Sequence, residues 1–151
     1  ACEVPDEQYS IPFGEASFPR QGNDVTIVAI SNMVTHAITV ADILAEEGIG
    51  CDVIDPRTVS PLDHEAILES VEVTGRLVII DEGNPRCGLA TDIAGIVAEH
   101  GFYSLKAPIL TVTAPHTPVP FAPELEDAYL PSAEKLMVAV REVLAAGRSG
   151  A

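Results

Sequence analysis

The chain has 151 residues, of which 47% are hydrophobic, and it carries a formal net charge of −15 at pH 7. This length and apolar content predict one domain with a single substantial core. The charge argues against nucleic acid as a partner, because phosphates would be repelled, and it suits either a basic protein partner or solubility alone. No apolar run approaches the about 20 residues needed to cross a bilayer, and three scattered cysteines favour a reducing cytoplasm.

Residues 1–23 show no sustained periodicity and contain three prolines and two glycines. This composition predicts an extended linker without a folded element of its own. The sequence Gly-Arg-Ser-Gly-Ala at residues 147–151 predicts a flexible tail. A linker-like start without an initiator methionine leads us to expect that the chain is the rear part of a longer protein.

Strands and helices alternate from Asp24 onward. Short apolar runs predict strands, and longer segments with helical periodicity, serine N-caps or a terminal glycine predict helices. The predicted strands are 25–30, 51–54, 77–80 and 109–113, and the predicted helices are 33–47, 62–73, 89–100 and 133–146, with N-caps at Ser60 and Ser132. The proline-rich segment 114–123 predicts a loop. The alternation indicates an α/β domain over residues 24–146, a three-layer sandwich with a mostly parallel sheet.

Polar residues follow every predicted strand, at the edge where α/β sheets bind ligands. They are Ser31-Asn32, Asp55-Pro56-Arg57-Thr58, Asp81-Glu82-Gly83-Asn84 and Ala114-Pro115-His116. The sequence nevertheless contains no glycine-rich nucleotide fingerprint, and its four histidines lack the spacing of a metal site. Asp55 and Arg57 favour a local ion pair that fixes the exit from their strand, in preference to a ligand contact.

One hypothesis for a stand-alone enzyme places Cys87 as a nucleophile, His116 as its base and Asp81 as the residue that orients the base. Cys87 precedes a predicted helix, whose dipole would favour the thiolate. The structural alternative keeps these residues in local contacts: the cysteine packs against the helix start, and acids pair with arginines. Those acids and arginines are Asp81, Glu82, Arg57 and Arg86. Any α/β fold brings such trios together by chance, so the structural alternative is favoured.

The segment Asp55-Pro56-Arg57-Thr58-Val59-Ser60-Pro61-Leu62-Asp63 resembles the signature Asp-Leu-Arg-Thr-x-x-Pro-Leu-Asp. That signature belongs to the C-terminal domain of transketolase-like enzymes, especially the β subunits of thiamine-dependent 2-oxo acid and acetoin dehydrogenases. The resemblance covers residues 4–144, through the further segments 4–14, 25–34 and 70–78. Two stretches, residues 81–87 and 113–121, resemble acetoin-type subunits more than the pyruvate and branched-chain types.

The resemblance implies an intact enzyme with two α and two β subunits, which binds thiamine diphosphate and Mg²⁺ between other domains. It implies no catalytic, cofactor-binding or metal-binding residue in this chain, which would instead support assembly in the cytoplasm and dock a lipoyl acyltransferase core. The candidate interface residues are Asp81, Glu82, Arg86, His116, Glu124, Glu126 and Asp127. Lys106 departs from the pattern, because docking members often carry an acid at this position.

Two other interpretations stay open from the sequence. The first is the same domain in a pyruvate or branched-chain 2-oxo acid dehydrogenase β subunit. The second, from another class, is a free-standing binding module that shares the fold.

Overall fold

The computed structural model describes residues 6–146, so the predicted tail over 147–151 and the first five residues of the predicted linker lie outside it. Within this range, five strands and five α-helices follow one another, with one 3₁₀ turn at Phe102–Ser104. The strands are β1 (Ser17–Arg20), β2 (Val25–Ala29), β3 (Cys51–Asp55), β4 (Leu77–Asp81) and β5 (Leu110–Thr113). The helices are α1 (Met33–Glu46), α2 (His64–Thr74), α3 (Leu89–His100), α4 (Pro123–Tyr129) and α5 (Ala133–Ala146). None of these helices is both long enough and apolar enough to cross a membrane.

The strands form a sheet in the order β1-β3-β2-β4-β5, in which β1 is antiparallel to β3 and the other pairs are parallel. Helices α1 and α5 cover one face, with a core that includes Ile27 and Leu136. Helices α2 and α3 cover the other face, with a core that includes Ile54 and Ile79. Because both faces are covered, every residue of β2 and β4 is buried, which explains their continuous apolar runs. The predicted three-layer α/β sandwich is confirmed.

The predicted linker contains a strand that the sequence did not reveal. Ser17 pairs with Asp55 and Arg20 with Val53, so β1 adds an antiparallel edge strand to the sheet. Pro19 argued against a strand here, because proline interrupts most strands and is tolerated mainly in an edge strand. The prediction of a linker without a folded element through residue 23 is therefore wrong for residues 17–20.

Helix α2 begins at His64, two residues later than the sequence predicts, and a different residue caps it. The prediction of Ser60 as N-cap is wrong: Asp63 is the N-cap, and its Oδ1 accepts a hydrogen bond from the Ala66 N–H at 3.1 Å. Asp63 Oδ2 accepts a second bond, from the Ala16 N–H, at 2.8 Å. One carboxylate thus holds both the start of α2 and the segment that leads into β1.

Replacing Asp63 by alanine is expected to lower the free energy of unfolding by about 2 kcal/mol, since a helix cap and a further hydrogen bond to a carboxylate are lost. Urea unfolding followed by circular dichroism measures the change. Glu65→Ala is the matched control, because Glu65 is an exposed acid in the first turn of the same helix. Equal losses in the two variants would contradict the double role of Asp63.

The segment after β5 contains a helix where the sequence predicts only a loop. Helix α4 starts at Pro123, whose fixed φ and missing N–H suit the first turn. Its seven residues are too few to show a periodic apolar stripe, so the surrounding prolines dominated the prediction. The predicted cap of α5 is confirmed, because Ser132 Oγ accepts a hydrogen bond from the Lys135 N–H at 3.3 Å.

Cys51 lies in β3 with its side chain buried, as predicted for a small apolar residue. Burial first, and the negative charge of Asp24 second, raise the pKa of its thiol from 9.0 to about 12. The folded chain therefore keeps this thiol protonated at a pH where the unfolded chain releases the proton.

This pKa shift predicts a pH dependence of stability. The contribution of Cys51 to the free energy of unfolding is complete below pH 9.0. It is lost as the pH rises toward about 12, because only the thiol of the unfolded chain ionises in that interval. Between about pH 8 and pH 10.5, we expect the free energy of unfolding to fall by up to about 2 kcal/mol more in the native chain than in Cys51→Ala. Parallel pH slopes for the two proteins in urea unfolding would contradict this expectation.

Candidate functional site

The carboxyl ends of β3, β2, β4 and β5 lie side by side and form what we call the carboxyl edge of the sheet. Positive backbone φ angles of 57°, 58° and 53° occur at Ser31, Arg57 and Cys87, in three of the loops at this edge. Such angles are strained for residues with a Cβ and often accompany functional loops. The hydrogen bonds of the candidate residues therefore decide what this edge can do.

Asp55 and Arg57 do not form the predicted ion pair. Asp55 Oδ1 instead accepts a hydrogen bond from the backbone N–H of Arg57 at 2.9 Å, which closes the turn after β3. The Arg57 guanidinium is exposed and forms no ion pair with any residue in the range 6–146. Together with Ser31 and Leu89, Arg57 borders a cleft of about 380 Å³ between the loops after β2 and β3 and the start of α3.

Asp81 is buried, with 6% of its surface exposed. Its Oδ1 accepts a hydrogen bond from the Gly83 N–H at 2.8 Å, and a Cβ at Gly83 would lie 3.1 Å from the same oxygen. The carbonyl oxygen of Gly83 accepts a hydrogen bond from the Ala114 N–H at 3.3 Å. Asp81 thus shapes the loop after β4, which is bonded to the loop after β5. Neither Asp81 nor Glu82 pairs with an arginine of the described chain, so the predicted arginine pairs are wrong.

The three residues of the cysteine hydrolase hypothesis are not linked to one another. His116 Nδ1 forms a hydrogen bond of 2.5 Å with Asn84 Oδ1, and the carboxylate of Asp81 is held by Gly83. Cys87 is exposed just before α3. The hypothesis is therefore wrong, because the base lacks its orienting acid and the nucleophile lacks a bonded base.

Residues 115–127 form an exposed surface beside the carboxyl edge, which we call the 115–127 surface. Three of the candidate interface acids lie on α4 and are exposed, namely Glu124, Glu126 and Asp127. The same surface carries the apolar side chains of Val119, Phe121 and Leu125, of which Phe121 is fully exposed. Exposed apolar groups rimmed by charged residues are typical of protein interfaces.

The sequence named the acids of this surface and missed its apolar residues. Exposure of a hydrophobic side chain has no local signature in a proline-rich segment, since the same residues would be expected to turn inward. Tyr129, at the end of α4, is buried, and its hydroxyl donates a hydrogen bond to the Thr117 carbonyl at 3.3 Å. Of the other candidates, Arg86 and His116 are exposed and Glu82 is half-buried.

Lys106 closes the C-terminal end of α2. Its Nζ donates a hydrogen bond to the Thr74 carbonyl at 3.3 Å, and its backbone N–H donates to the Gly75 carbonyl at 2.7 Å. A cation is favourable there, because the last carbonyl groups of a helix are partly negative. The departure from the docking pattern at this position thus has a structural role.

Within residues 6–146, no group of three or more His, Cys, Asp or Glu side chains is placed to hold a metal ion. The carboxyl edge offers loops of fixed shape, the exposed residues Arg57 and Arg86, and the neighbouring 115–127 surface.

Comparison with known proteins gives a consistent result. The family described as "Transketolase, C-terminal domain" matches residues 14–136. The chain is 54% identical, over 94% of its length, to the acetoin:2,6-dichlorophenolindophenol oxidoreductase subunit beta of Bacillus subtilis. It is 44% identical, over 93% of its length, to the pyruvate dehydrogenase E1 component subunit beta of Rickettsia felis. The chain spans 42% and 43% of the lengths of these two relatives.

A solved structure described as a split-gene transketolase, an inactive β4 tetramer, shares the fold. Its TM-score is 0.79 at 29% identity, over 97% of this chain and 46% of that one. The family match takes in the sheet and every helix through the first turn of α5. The chain therefore belongs to the transketolase C-terminal domain family.

Proposed function

We propose that the chain is the C-terminal domain of the β subunit of a thiamine diphosphate-dependent acetoin dehydrogenase, an oxidoreductase. The observation that carries the proposal is the 54% identity to an acetoin oxidoreductase β subunit, against 44% to a pyruvate dehydrogenase β subunit over nearly the same stretch. The alternative is the same domain in a β subunit that serves pyruvate or a branched-chain 2-oxo acid, and the second identity supports its pyruvate form.

In this proposal the role of the chain is to help assemble the subunits of the enzyme. The polar groups of Asp55, Asp81 and His116 form hydrogen bonds within the chain and give the loops a fixed shape. Val119 and Phe121 present apolar area that a neighbouring subunit would remove from water, which is the main favourable term in association. The domain therefore holds other domains in place around the reaction centre.

Thiamine diphosphate and Mg²⁺ belong to the intact enzyme in this proposal, where the bound cofactor would supply carbanion-stabilising chemistry. The described residues do not fit the metal, because no three of their His, Cys, Asp or Glu side chains lie close enough together to hold an ion. The sequence also lacks a glycine-rich loop of the kind that cradles a diphosphate. Cofactor contacts are accordingly assigned to the other domains of the enzyme.

The partners in this proposal are an α subunit, a second β subunit and a lipoyl acyltransferase core, all in the cytoplasm. Two facts support an assembly of this kind: both relatives are named as subunits, and the solved structure is described as a tetramer. The net charge of −15 would attract a basic docking module, with Glu124, Glu126 and Asp127 as the exposed acids.

The test uses the full-length β subunit that contains this chain, produced together with its α partner and supplied with thiamine diphosphate and Mg²⁺. Reduction of dichlorophenolindophenol is measured with acetoin, pyruvate and a branched-chain 2-oxo acid. Turnover of acetoin is the expected result, and turnover of a 2-oxo acid alone would favour the alternative. The 151-residue chain with the α subunit is the control, and dye reduction in that control would contradict an assembly role.

A further inference from the structure

A second cleft lies at the opposite end of the sheet from the carboxyl edge. Its volume is about 280 Å³, and it lies between the loop before β2 and the C-terminal half of α2. The polar residues that line it are Gln21, Asn23, Asp52, Glu69 and Ser70. None of them belongs to the carboxyl edge or to the 115–127 surface, so the proposed function does not account for this cleft.

Asp52 is the final acceptor of a series of buried hydroxyl groups. The Ser70 hydroxyl donates to Asp52 Oδ2 at 2.5 Å. Ser70 Oγ lies 2.7 Å from Thr26 Oγ1, which lies 2.8 Å from Thr74 Oγ1. Because the Ser70 proton is used on the carboxylate, Thr26 must donate to Ser70. The Thr74 hydroxyl donates to the Arg76 carbonyl at 3.2 Å and closes the inner end of the network. The Ser70 and Thr26 protons therefore both point toward Asp52.

The second oxygen of this carboxylate, Oδ1, has no hydrogen-bond donor among the side chains of residues 6–146. Among residues 6–146, Ser70 is the one side chain that donates to Asp52, and it uses Oδ2. Asp52 lines the cleft with 9% of its surface exposed, and neither Asp52 nor Glu69 takes part in an ion pair of the described chain. A carboxylate buried to this degree loses much of its hydration, and the N–H donors of a charged partner would replace it.

We infer that this cleft binds an ammonium or guanidinium group, whose N–H donors bond to Asp52 Oδ1. Nitrogen cations suit the site, because they donate several hydrogen bonds at once and strengthen each by their charge. Glu69 adds a second negative charge, and the side-chain amides of Gln21 and Asn23 add acceptors. The cation belongs either to a small free amine or to a lysine or arginine side chain of a partner subunit, and both sources present the same chemistry.

Agmatine, which carries both a guanidinium and an ammonium group, is the probe for the 151-residue chain. In a titration followed by ¹H–¹⁵N NMR, we expect saturable shifts at the backbone amides of Gln21, Asn23 and Ser70. Asp52→Asn keeps the side-chain shape and an acceptor for Ser70, but removes the charge, and is expected to weaken binding at least tenfold. No saturable shift, or equal binding by the native chain and Asp52→Asn, would overturn the inference.

Glu46→Gln is the matched control, because it removes the same charge from the exposed end of α1 and is expected to leave agmatine binding unchanged. Val73→Arg tests the cleft without altering the buried network, since Val73 is exposed at the rim of the cleft. This variant brings a guanidinium of the chain itself to the site and is expected to abolish the agmatine shifts. Agmatine binding at native strength by Val73→Arg would overturn the inference even if Asp52→Asn fails to fold.

The assembled α–β enzyme separates the two sources, and this arm alone rests on the proposed function. If a partner side chain fills the cleft, agmatine does not bind the assembly and Asp52→Asn weakens assembly at least tenfold. If the ligand is a free amine, agmatine binds the assembly as it binds the chain, and Asp52→Asn assembles normally. If agmatine does not bind the assembly and Asp52→Asn nevertheless assembles normally, neither a partner side chain nor a free amine is the ligand.

Discussion

Replacing Val119 and Phe121 together by serine is expected to lower acetoin-dependent dye reduction by the assembled α–β enzyme at least tenfold. Val119 is 67% exposed and Phe121 is fully exposed, so serine removes little contact within the described fold. Buried against a partner subunit, the two side chains would contribute about 3 kcal/mol. A loss of about 1.4 kcal/mol already weakens association tenfold, so assembly should be clearly impaired. The stability of the folded chain should change little, because both side chains are exposed in it.

Size-exclusion chromatography of the co-purified subunits and dye reduction at limiting β subunit measure this effect. Val138→Ser is the matched control for the valine, because Val138 is 66% exposed on α5, away from the 115–127 surface. The control should assemble and turn over like the native enzyme. Normal assembly and activity of the double variant would show that the 115–127 surface is not an interface.

Replacing Thr26 by valine is expected to lower the free energy of unfolding by about 2 to 3 kcal/mol. Valine fills the same volume, but Ser70 and Thr74 both lose their hydrogen bonds to the Thr26 hydroxyl in a fully buried position. Each lost hydrogen bond costs about 1 to 1.5 kcal/mol, and two are lost here, although Thr74 still donates to the Arg76 carbonyl. Asp52 keeps its bond from Ser70, so the loss falls mainly on the inner part of the network.

Urea unfolding of the native chain and Thr26→Val measures this difference. Thr111→Val is the matched control, since Thr111 is exposed in β5 of the same sheet. We expect the control to change stability by less than about 0.5 kcal/mol. A loss in Thr111→Val as large as that in Thr26→Val would mean that the effect is one of threonine in a strand and not of the network.

The layers of the fold could be predicted from the sequence because the signals are local. The four parallel strands were predicted to within one residue at each end, and α3 and α5 were predicted with the same bounds that the structure has. Continuous apolar runs identify strands buried on both faces, and helical periodicity identifies the covering helices. Neither signal depends on which residues meet across the sheet.

Features that depend on distant partners could not be predicted in the same way. β1 is a strand only because Ser17 and Arg20 find β3, and Asp63 caps α2 while it also bonds Ala16. The pairing of Asp55 with Arg57 was predicted from their spacing, but the carboxylate bonds to a backbone N–H instead. Spacing brings two groups near each other without determining which atoms bond.

The cleft at Asp52 was missed for a related reason. Thr26 stands in an apolar run and looks like one more strand residue, and Ser70 and Thr74 look like ordinary polar residues of a helix. Their hydroxyl groups meet only after β2, β3 and α2 pack together. A threonine inside a buried strand, opposite two hydroxyl residues four apart on a helix, is the one sequence signal that pointed to this network.

Domain replacement tests the central claim, that this chain is the assembly domain of an acetoin dehydrogenase β subunit. The corresponding C-terminal domain of the Bacillus subtilis β subunit, which is 54% identical to this chain, would be replaced by residues 14–146 of this protein and produced with the native α subunit. Acetoin-dependent dye reduction by the chimera at no less than about a tenth of the native rate is the predicted result, with none from a β subunit that lacks the domain. A chimera that folds but remains as inactive as the truncated subunit would contradict the claim.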